Sequence, residues 1–594
     1  MAAPTDPFPS TSLDTWRAQV LSDLQGRAFE QRMFTSTFEG LIVPALSTGW
    51  IGPAEGPAVP LPRTPWSVIM RHQDPDLATA QARIGEDLRG GADGLWLVFG
   101  EGYLPVQDAA SLGTLLAGVE LSKVPIHLGG PRAADAAAWL DTLYTEKNVA
   151  PEARLGSDGL DPLGLVQAGR ATATELPALF DQLKVRLLAH PSREVLRIES
   201  RLTHDQGASA VEELSGGLAA IVATWRALEE RGVAPSQVAP RLSWALGIGP
   251  DLFLSIATLR AARLLYAELA AGAALPEGVC LHAVAGRSSF SAIEPANNLL
   301  RTTASTFAAA IGGADRLTTF GHDEVEGPAS AFGRRHARNA QLILAHEAHL
   351  AEVADAAGGS WFFEGITDQL AHRAWEAFQE LERKGGLVKL LEAGTWQKQL
   401  LRVGQERLLE ARRRKIPLVG VSSYPDLEEP VLAAPAQKPD GKSASRLAEP
   451  FEHFRRKGDR QLQSSGKRPS VFLATLGPKK AHGARAQFTT QLLATGGVIT
   501  VGQGPFDAGT VGPAFKESGA LVAIIASSDA IYANEVVPIA QALKASGAQV
   551  VLVAGRPGEH EDAWREAGVD SFLFLGCDVA ELLDRLYAFI GAHS

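Results

Sequence analysis

Arg71 and His72, Glu101, Ser157 and Asp158, Arg201 and His204, Asp251, Arg287 and Ser288, and His322 with Asp323 each stand just after a short apolar run. Such places are strand carboxyl ends, where α/β folds keep binding and catalysis. His204 beside Asp205 reads either as a base with its orienting carboxylate or as a structural loop histidine. No spacing pairs a nucleophile with a base. The run HEAH from His346 spaces its histidines by three, whereas a zinc-protease pattern needs four, so it reads as the polar face of a helix. Cys280 and Cys577 form no paired motif, which argues against a disulfide framework and a cysteine zinc site. The densest polar segment runs from Asn297 to Glu364. Asn297, Asn298, Arg301 and Thr302 open a helix whose inward face is expected at Ala304, Phe307, Ala308 and Ile311. Gly312 and Gly313 end it. A strand at Leu317 to Phe320 then leads into His322, Asp323 and Glu324.

The elements that must position these residues can be counted. Eight apolar runs alternate with helical patterns: WSVIMR from Trp66, GLWLVF from Gly94, VPIHLG from Val124, ARLGSD from Ala153, VLRIES from Val195, RLSWALG from Arg241, VCLHAVAG from Val279 and RLTTFG from Arg316. Helical segments lie between them, among them Asp76 to Arg89, Ala133 to Tyr144, Ala208 to Glu230 and Asp251 to Ala271, with one more from Ser330 to Val353. Eight βα units predict an α/β fold with a closed (β/α)8 TIM barrel, expected over 61–423. The Pro-, Ala-, Ser- and Lys-rich stretch 424–468 reads as a linker. Beyond it, 469–594 carries five further βα units, SVFLATLG, GGVITVG, ALVAIIASS, AQVVLVAG and SFLFLG, the pattern of a flavodoxin-like doubly wound domain. In that fold the loop after the first strand, PKKAHGARA, would be the binding corner. It has too few glycines to cradle phosphate, and Asp529 alone answers to the acidic cluster of a phosphate-accepting domain. Residues 1–60 read as an arm, with an amphipathic helix from Ser12 to Arg27, and packing either on a partner subunit or on the chain's own barrel is expected.

A hydrophobic fraction of 45% and a charged fraction of 21% describe an ordinary globular chain. The net charge of -11 argues against a nucleic-acid partner, which would need a concentrated basic surface. Arg412 to Lys415 is read as a solvated helix end that complements the dipole. No apolar run approaches a membrane span, and the first thirty residues, with Asp6, Asp14, Asp23 and Glu30, resemble neither a signal nor a transit peptide. A cytoplasmic location is expected.

The order of motifs carries a resemblance. Asn297 through Arg338, Asn339 and Gln341 to Gly358, Gly359, Ser360 and Glu364, then Trp375 and Gly385-Gly386, with PW at Pro65, GASAVEEL after the fifth run and LRAAR from Leu259, resembles the adenosylcobalamin-dependent methylmalonyl-CoA mutases. The resemblance spans about Pro65 to Ser594. It implies a barrel threaded by coenzyme A, a cobalamin-binding-type carboxyl-terminal domain, and a radical rearrangement between (R)-methylmalonyl-CoA and succinyl-CoA.

Carried over residue by residue, the functional positions of the family depart in this chain. The substrate-stacking tyrosine becomes Arg71 and its neighbouring arginine Ile69. The catalytic histidine becomes Leu202, and His204 reaches that place only by a two-residue slip. The run HAVAGR keeps His282 and Gly286 of the motif after the seventh strand but loses its polar pair. In the cobalamin motif the lysine position is Thr475, the aspartate Lys479, the cobalt-ligating histidine Ala481 and the glycine Ala484. A one-residue slide offers His482 but puts Lys480 and Arg485 at the aspartate and glycine positions, while the small pair Ser527 and Ser528 remains. A ligating histidine needs a carboxylate behind it to fix its tautomer. The chain therefore looks similar to the small, noncatalytic subunit of heterodimeric members. That resemblance implies no catalytic, cofactor-binding or metal residues here, adenosylcobalamin held by the partner, and the catalytic large subunit as that partner. Three other readings stay open: an active mutase with displaced ligands, a subunit of an isobutyryl- or ethylmalonyl-CoA mutase, and a stand-alone CoA-ester-binding regulatory module.

Overall fold

The computed structural model describes residues 12–48, 65–325, 327–430, 446–502 and 504–590. Near the amino terminus, β1 (Phe34–Ser36) and β2 (Ile42–Pro44) form an antiparallel hairpin. The parallel strands β3 (Ser67–His72), β4 (Gly94–Val98), β5 (Ile126–Gly129), β6 (Gly156–Leu160), β7 (Glu194–Glu199), β8 (Leu242–Ile248), β9 (Cys280–Ala285) and β10 (Arg316–Thr318) then close a barrel, β10 pairing with both β9 and β3. The eight expected runs are thus the eight barrel strands. A second parallel sheet orders β11 (Ser470–Thr475), β12 (Ile499–Val501), β13 (Val522–Ala526), β14 (Val550–Ala554) and β15 (Ser571–Leu573) as β12-β11-β13-β14-β15, the flavodoxin-like order.

Period-two alternation separates the two faces of the barrel wall. Leu95 and Leu97 of β4 pack outward with Ala80, Ile84 and Leu112 of the helices, while Trp96 and Val98 join Ile69, Val284, Phe290 and Phe320 in a separate cluster. Side-chain caps set the helix starts. Asp76 accepts from Thr79 N at 2.7 Å ahead of Leu77–Arg89, and Asp251 from Leu254 N at 3.1 Å ahead of Leu252–Gly272. Each such cap is worth about 1 kcal/mol.

Four expectations are corrected in detail. β6 lies later than ARLGSD, because Pro151–Ala153 is a 3-10 turn and the strand begins at Gly156. That glycine has φ +106, and a Cβ on it would lie 2.1 Å from the Ile126 carbonyl oxygen, so only glycine fits. The helix Asn297–Ile311 turns a polar rather than an apolar face inward: Asn298, Arg301, Thr302, Ser305 and Thr306 are buried with Ala308 and Ala309. Polar groups meet them there, since Asn298 donates to the carbonyls of Ser291 at 2.9 Å and His322 at 2.8 Å, and Thr306 meets Thr319 at 2.9 Å. The stretch PKKAHGARA is no loop, because the helix Lys479–Ala494 starts directly after Pro478. Finally, the HEAH pair is split: His346 ends the helix Ala331–His346, whereas His349 lies beyond it with φ +56.

Within the stretch read as a linker, Glu449–Ser465 is a helix whose Phe451 and Phe454 enter the core of the second sheet with Val471, Leu583 and Tyr587. Residues 431–445 of that stretch lie outside the described residues. In the arm, the helix Leu13–Leu24 is capped by Ser12 and buries no residue. The hairpin after it rests on the chain's own barrel, where Ile42 exchanges hydrogen bonds of 2.9 and 3.2 Å with Gln369 and Leu41 joins the main core. No helix of the described residues is long and apolar enough to cross a membrane.

Candidate functional site

The barrel encloses a cavity of about 790 Å³ reached by Arg71, Trp96, Tyr103, Asp161, Glu199, Arg201 and Arg287. Its floor is a stack of polar and aromatic side chains from alternating positions of different strands. The Trp96 ring has the guanidiniums of Arg197 at 4.4 Å, Arg71 at 5.1 Å and Arg201 at 5.7 Å, and the His282 ring edge-on at 5.5 Å. His282 Nδ1 lies 2.5 Å from Arg197 Nη1 and its Nε2 2.8 Å from Thr318 Oγ1, whose hydroxyl donates to the Ile69 carbonyl. Because Arg197 only donates and the Thr318 proton is already engaged, His282 is the neutral tautomer protonated at Nε2. Burial, and next the adjoining Arg197 charge, hold its pKa well below the usual histidine range.

Charge in the cavity is unevenly matched. Arg201 is flanked by Glu199 at 3.4 Å and by Asp205, and Arg197 donates to Glu199 at 2.5 Å. Arg71 has no such partner: its Nε and Nη1 are buried and find no hydrogen-bond acceptor among the described residues. Burial first, then the like charges of Arg287 and Arg201, lower its pKa to about 10. Arg287 shares the ring of Phe320 with Arg71, at 5.0 and 5.5 Å, and lies 3.9 Å from Glu324. Asp161 accepts from the backbone amides of Gly164 at 2.9 Å and Glu199 at 2.8 Å, and burial raises its pKa to about 6.

The structure therefore gathers Arg71, Arg201 and Arg287 from the sequence-derived set and disperses the rest. His72 sits on the other face of β3, buried 3.5 Å from Asp87. Asp158 is buried under Arg186 and Arg193 beside Ser157. Glu101 is exposed, Asp251 is a helix cap, and Asp323 accepts from Ser330 N while His322 packs its ring on Phe332. His204 is oriented by Glu213, at 3.5 Å, rather than by Asp205, and its Nε2 is 3.4 Å from Ser288 Oγ. This Glu-His-Ser line is buried, and neither His204 nor Ser288 reaches the cavity. Sequence reasoning passed over Trp96, Arg197, Glu199 and Asp161. For Arg197 and Glu199 the available signal was two charges of the same parity in the otherwise apolar run VLRIES, which in a barrel strand means charge directed to one face.

At the carboxyl edge of the second sheet, Arg485 donates to the Ser527 carbonyl at 2.7 Å and to Asp529 at 2.6 Å and lies over Tyr532 at 4.9 Å. The Tyr532 oxygen accepts from Ser527 N at 2.9 Å and lies 2.7 Å from the Ala554 carbonyl. His482 is on the helix Lys479–Ala494, and its Nδ1 is buried with no hydrogen-bond partner among the described residues. A cobalt-ligating imidazole needs a carboxylate at that nitrogen. No carboxylate meets that nitrogen among the described residues, and Asp529 pairs with Arg485 instead, so the residues of this corner do not fit a histidine-ligated cobalamin. Among the described residues, no group of three or more His, Cys, Asp or Glu could hold a metal ion.

The chain thus joins a closed parallel barrel with a polar interior to a flavodoxin-like sheet through an interposed helix, a two-domain α/β architecture. The methylmalonyl-CoA mutase family model matches residues 99–466. Over 602 residues the chain is 37% identical to a methylmalonyl-CoA mutase small subunit of Streptomyces virginiae, covering 97% of this chain and 96% of that one. It is 32% identical to the protein of that name from Propionibacterium freudenreichii subsp. shermanii, over 89% of this chain and 83% of the relative. A methylmalonyl-CoA mutase of Escherichia coli shares 35% identity over 37% of this chain and 31% of its own length. The chain belongs to the methylmalonyl-CoA mutase family.

Proposed function

We propose that this chain is the noncatalytic small subunit of a heterodimeric methylmalonyl-CoA mutase. It stabilises and positions a catalytic large subunit that interconverts (R)-methylmalonyl-CoA and succinyl-CoA by a cobalamin-dependent radical rearrangement. Adenosylcobalamin belongs to that partner, and this chain contributes no catalytic, cofactor-binding or metal residue. One observation carries the reading: at the two places where the family's chemistry resides, this chain puts groups of another kind. Arg71 lies over Trp96 at the position of the substrate-stacking tyrosine, and a continuous helix from Lys479 runs where the cobalamin motif should be.

The proposed organisation is an arm (1–60), barrel (61–423), linker (424–468) and degenerate cobalamin-type domain (469–594) in a cytoplasmic protein. The arm favours a partner. A helix of 12 residues is marginal alone in water, and Leu13–Leu24 leaves Leu13 and Leu21 exposed. A pseudo-symmetric copy of the catalytic fold would supply a matching interface without a second reaction centre.

Co-expression with a catalytic mutase subunit tests the proposal. A stable complex should form, with activity that needs the catalytic chain, and cobalamin titration of the isolated small chain should show no tight histidine-ligated binding. Failure to form any complex, or cobalt ligation by His482, would overturn it.

A further inference from the structure

The helix Asn297–Ile311 is built inside out. Its buried side is mostly polar, so Leu299, Ala304 and Phe307 are left half-buried and Leu300 is 69% exposed, and these four pack with none of the apolar core clusters of the described residues. A surface helix of a globular protein ordinarily turns its apolar stripe to the core and its polar side to water. The reversal does not stop at this helix. It packs against both Leu252–Gly272 and Ala331–His346, and Leu252–Gly272 packs in turn against the helix Trp361–Arg383. These neighbours expose Phe253 at 51%, Phe332 at 51%, Ile343 at 48% and Trp361 at 53%. Phe253 also meets Phe362 and Phe363, with ring centres at 5.0 and 5.8 Å. By contrast, the barrel helices Leu77–Arg89 and Ala133–Glu146 expose no large apolar side chain.

We propose that the outer face of these packed helices, centred on Leu300, is where the catalytic mutase subunit docks, barrel against barrel. The inference rests on the small-subunit reading and adds to it the place of the contact. Leu300, Phe253, Phe332, Ile343 and Trp361, each showing about half of its surface or more, amount to on the order of 500 Å² of apolar area. A standard interface takes about 800 Å² from each partner, somewhat more than half of it apolar, so the face is of the size a stable complex needs. A chain of the same family is the fitting occupant. The family model that this chain matches includes the helix Asn297–Ile311, so a catalytic member is expected to carry a helix of the same kind, with its polar side inward and its apolar stripe outward. Two such stripes meet about a pseudo-two-fold axis, each covering the other.

The test uses the full-length chain with a catalytic mutase subunit. Leu300→Glu combined with Trp361→Glu places charges where the wild-type side chains already meet water, so the isolated variant should keep its Tm. Its Kd for the catalytic subunit should rise at least about 30-fold, as the loss of interface anchors requires. Val185→Glu, at an apolar site 64% exposed on the helix Leu176–Ala189, should change Kd by less than about threefold. A double variant that binds as well as the wild type, or an equal loss in Val185→Glu, would overturn the docking face and leave the small-subunit reading standing. Absence of any complex with the wild type would overturn both. A wild-type chain that dimerises alone, with the double variant losing that dimer but not the catalytic subunit, would make a second copy of this chain the occupant and refute the assignment. Should the double variant not fold, hydroxyl-radical footprinting of the wild type decides: Phe253 and Trp361 should be oxidised more slowly in the complex than alone, and unchanged oxidation would refute the docking face.

Discussion

Glu452 holds the second domain to the mouth of the barrel, and replacing it with glutamine should loosen that junction specifically. Its carboxylate is fully buried and takes both Arg446 Nη groups, at 2.5 and 2.7 Å, together with the Ala292 amide at 2.8 Å. Arg446 is 6% exposed and also donates to the Phe290 carbonyl at 3.1 Å, and the next residue, Leu447, donates its amide to the Ser288 carbonyl at 2.8 Å. Glutamine preserves the shape but sets an NH2 against a guanidinium and leaves Arg446 charged in a dry site. Breaking one side of a buried pair costs about 3–5 kcal/mol. If the cost is local to the junction, the amides of Ala292 and Leu447 should exchange hydrogen faster by between about 10² and about 4 × 10³, since each 1.4 kcal/mol of opening free energy is a factor of ten. Exchange in the distant strand β4 should be unchanged. Hydrogen-exchange mass spectrometry over the segments that contain residues 286–294 and 446–456 reads this directly. Acceleration below about tenfold would show that the pair carries little of the junction and would refute the assignment. Replacing both partners, Arg446→Met with Glu452→Leu, should recover most of the loss, because an apolar pair of similar volume avoids the stranded charge.

Two further outcomes are expected. Tyr532→Phe strands the Ser527 amide and the Ala554 carbonyl, so urea unfolding should show a loss of about 1–3 kcal/mol, and no loss would mean that this tie across β13 and β14 is idle. Asp161 has a folded pKa raised to about 6 from 3.8, so its contribution is fully present below the unfolded value and is lost as pH rises through about 6. Two units amount to about 3 kcal/mol, and between pH 4 and 7 the wild type should lose about that much relative to Asp161→Asn, whereas parallel stability profiles would contradict the burial argument.

The barrel was legible because its strands are apolar runs separated by helix-length patterns, a signal that survives uncertain ends. Where glycine dominates, as in GSDGL of β6, hydrophobic pattern gives no bounds, and close approach to the Ile126 carbonyl set the start instead. The inward face of the helix Asn297–Ile311 was misjudged for a different reason. Apolar residues mark the buried side only where the surroundings are apolar, and here the neighbouring groups are backbone carbonyls and the Thr319 hydroxyl. PKKAHGARA reads as a loop by composition, yet Ala481, Ala484 and Ala486 within it are strong helix formers and the helix starts at Lys479. The line of His204 to Glu213 and Ser288 could not be seen, since 84 residues separate the histidine from the serine and only barrel closure brings them together.

The cavity residues divide along the same boundary. Arg201 and Arg287 follow strands and Arg71 stands near the end of β3, so all three are legible as strand-end residues, whereas Trp96 and Arg197 lie inside strands and become visible only once inward and outward parity is fixed. Their placement is informative. The outer layer of the barrel wall, with Leu95, Leu97, Leu196 and Ile198 against the helices, already supplies the burial that a parallel barrel needs. Interiors of such barrels are usually filled with branched apolar residues. Replacing a buried ionic network by apolar residues of similar volume is often neutral or stabilising. A stack in which Arg197, Arg71 and Arg201 converge on one indole is thus a burden on folding that an apolar interior would lack.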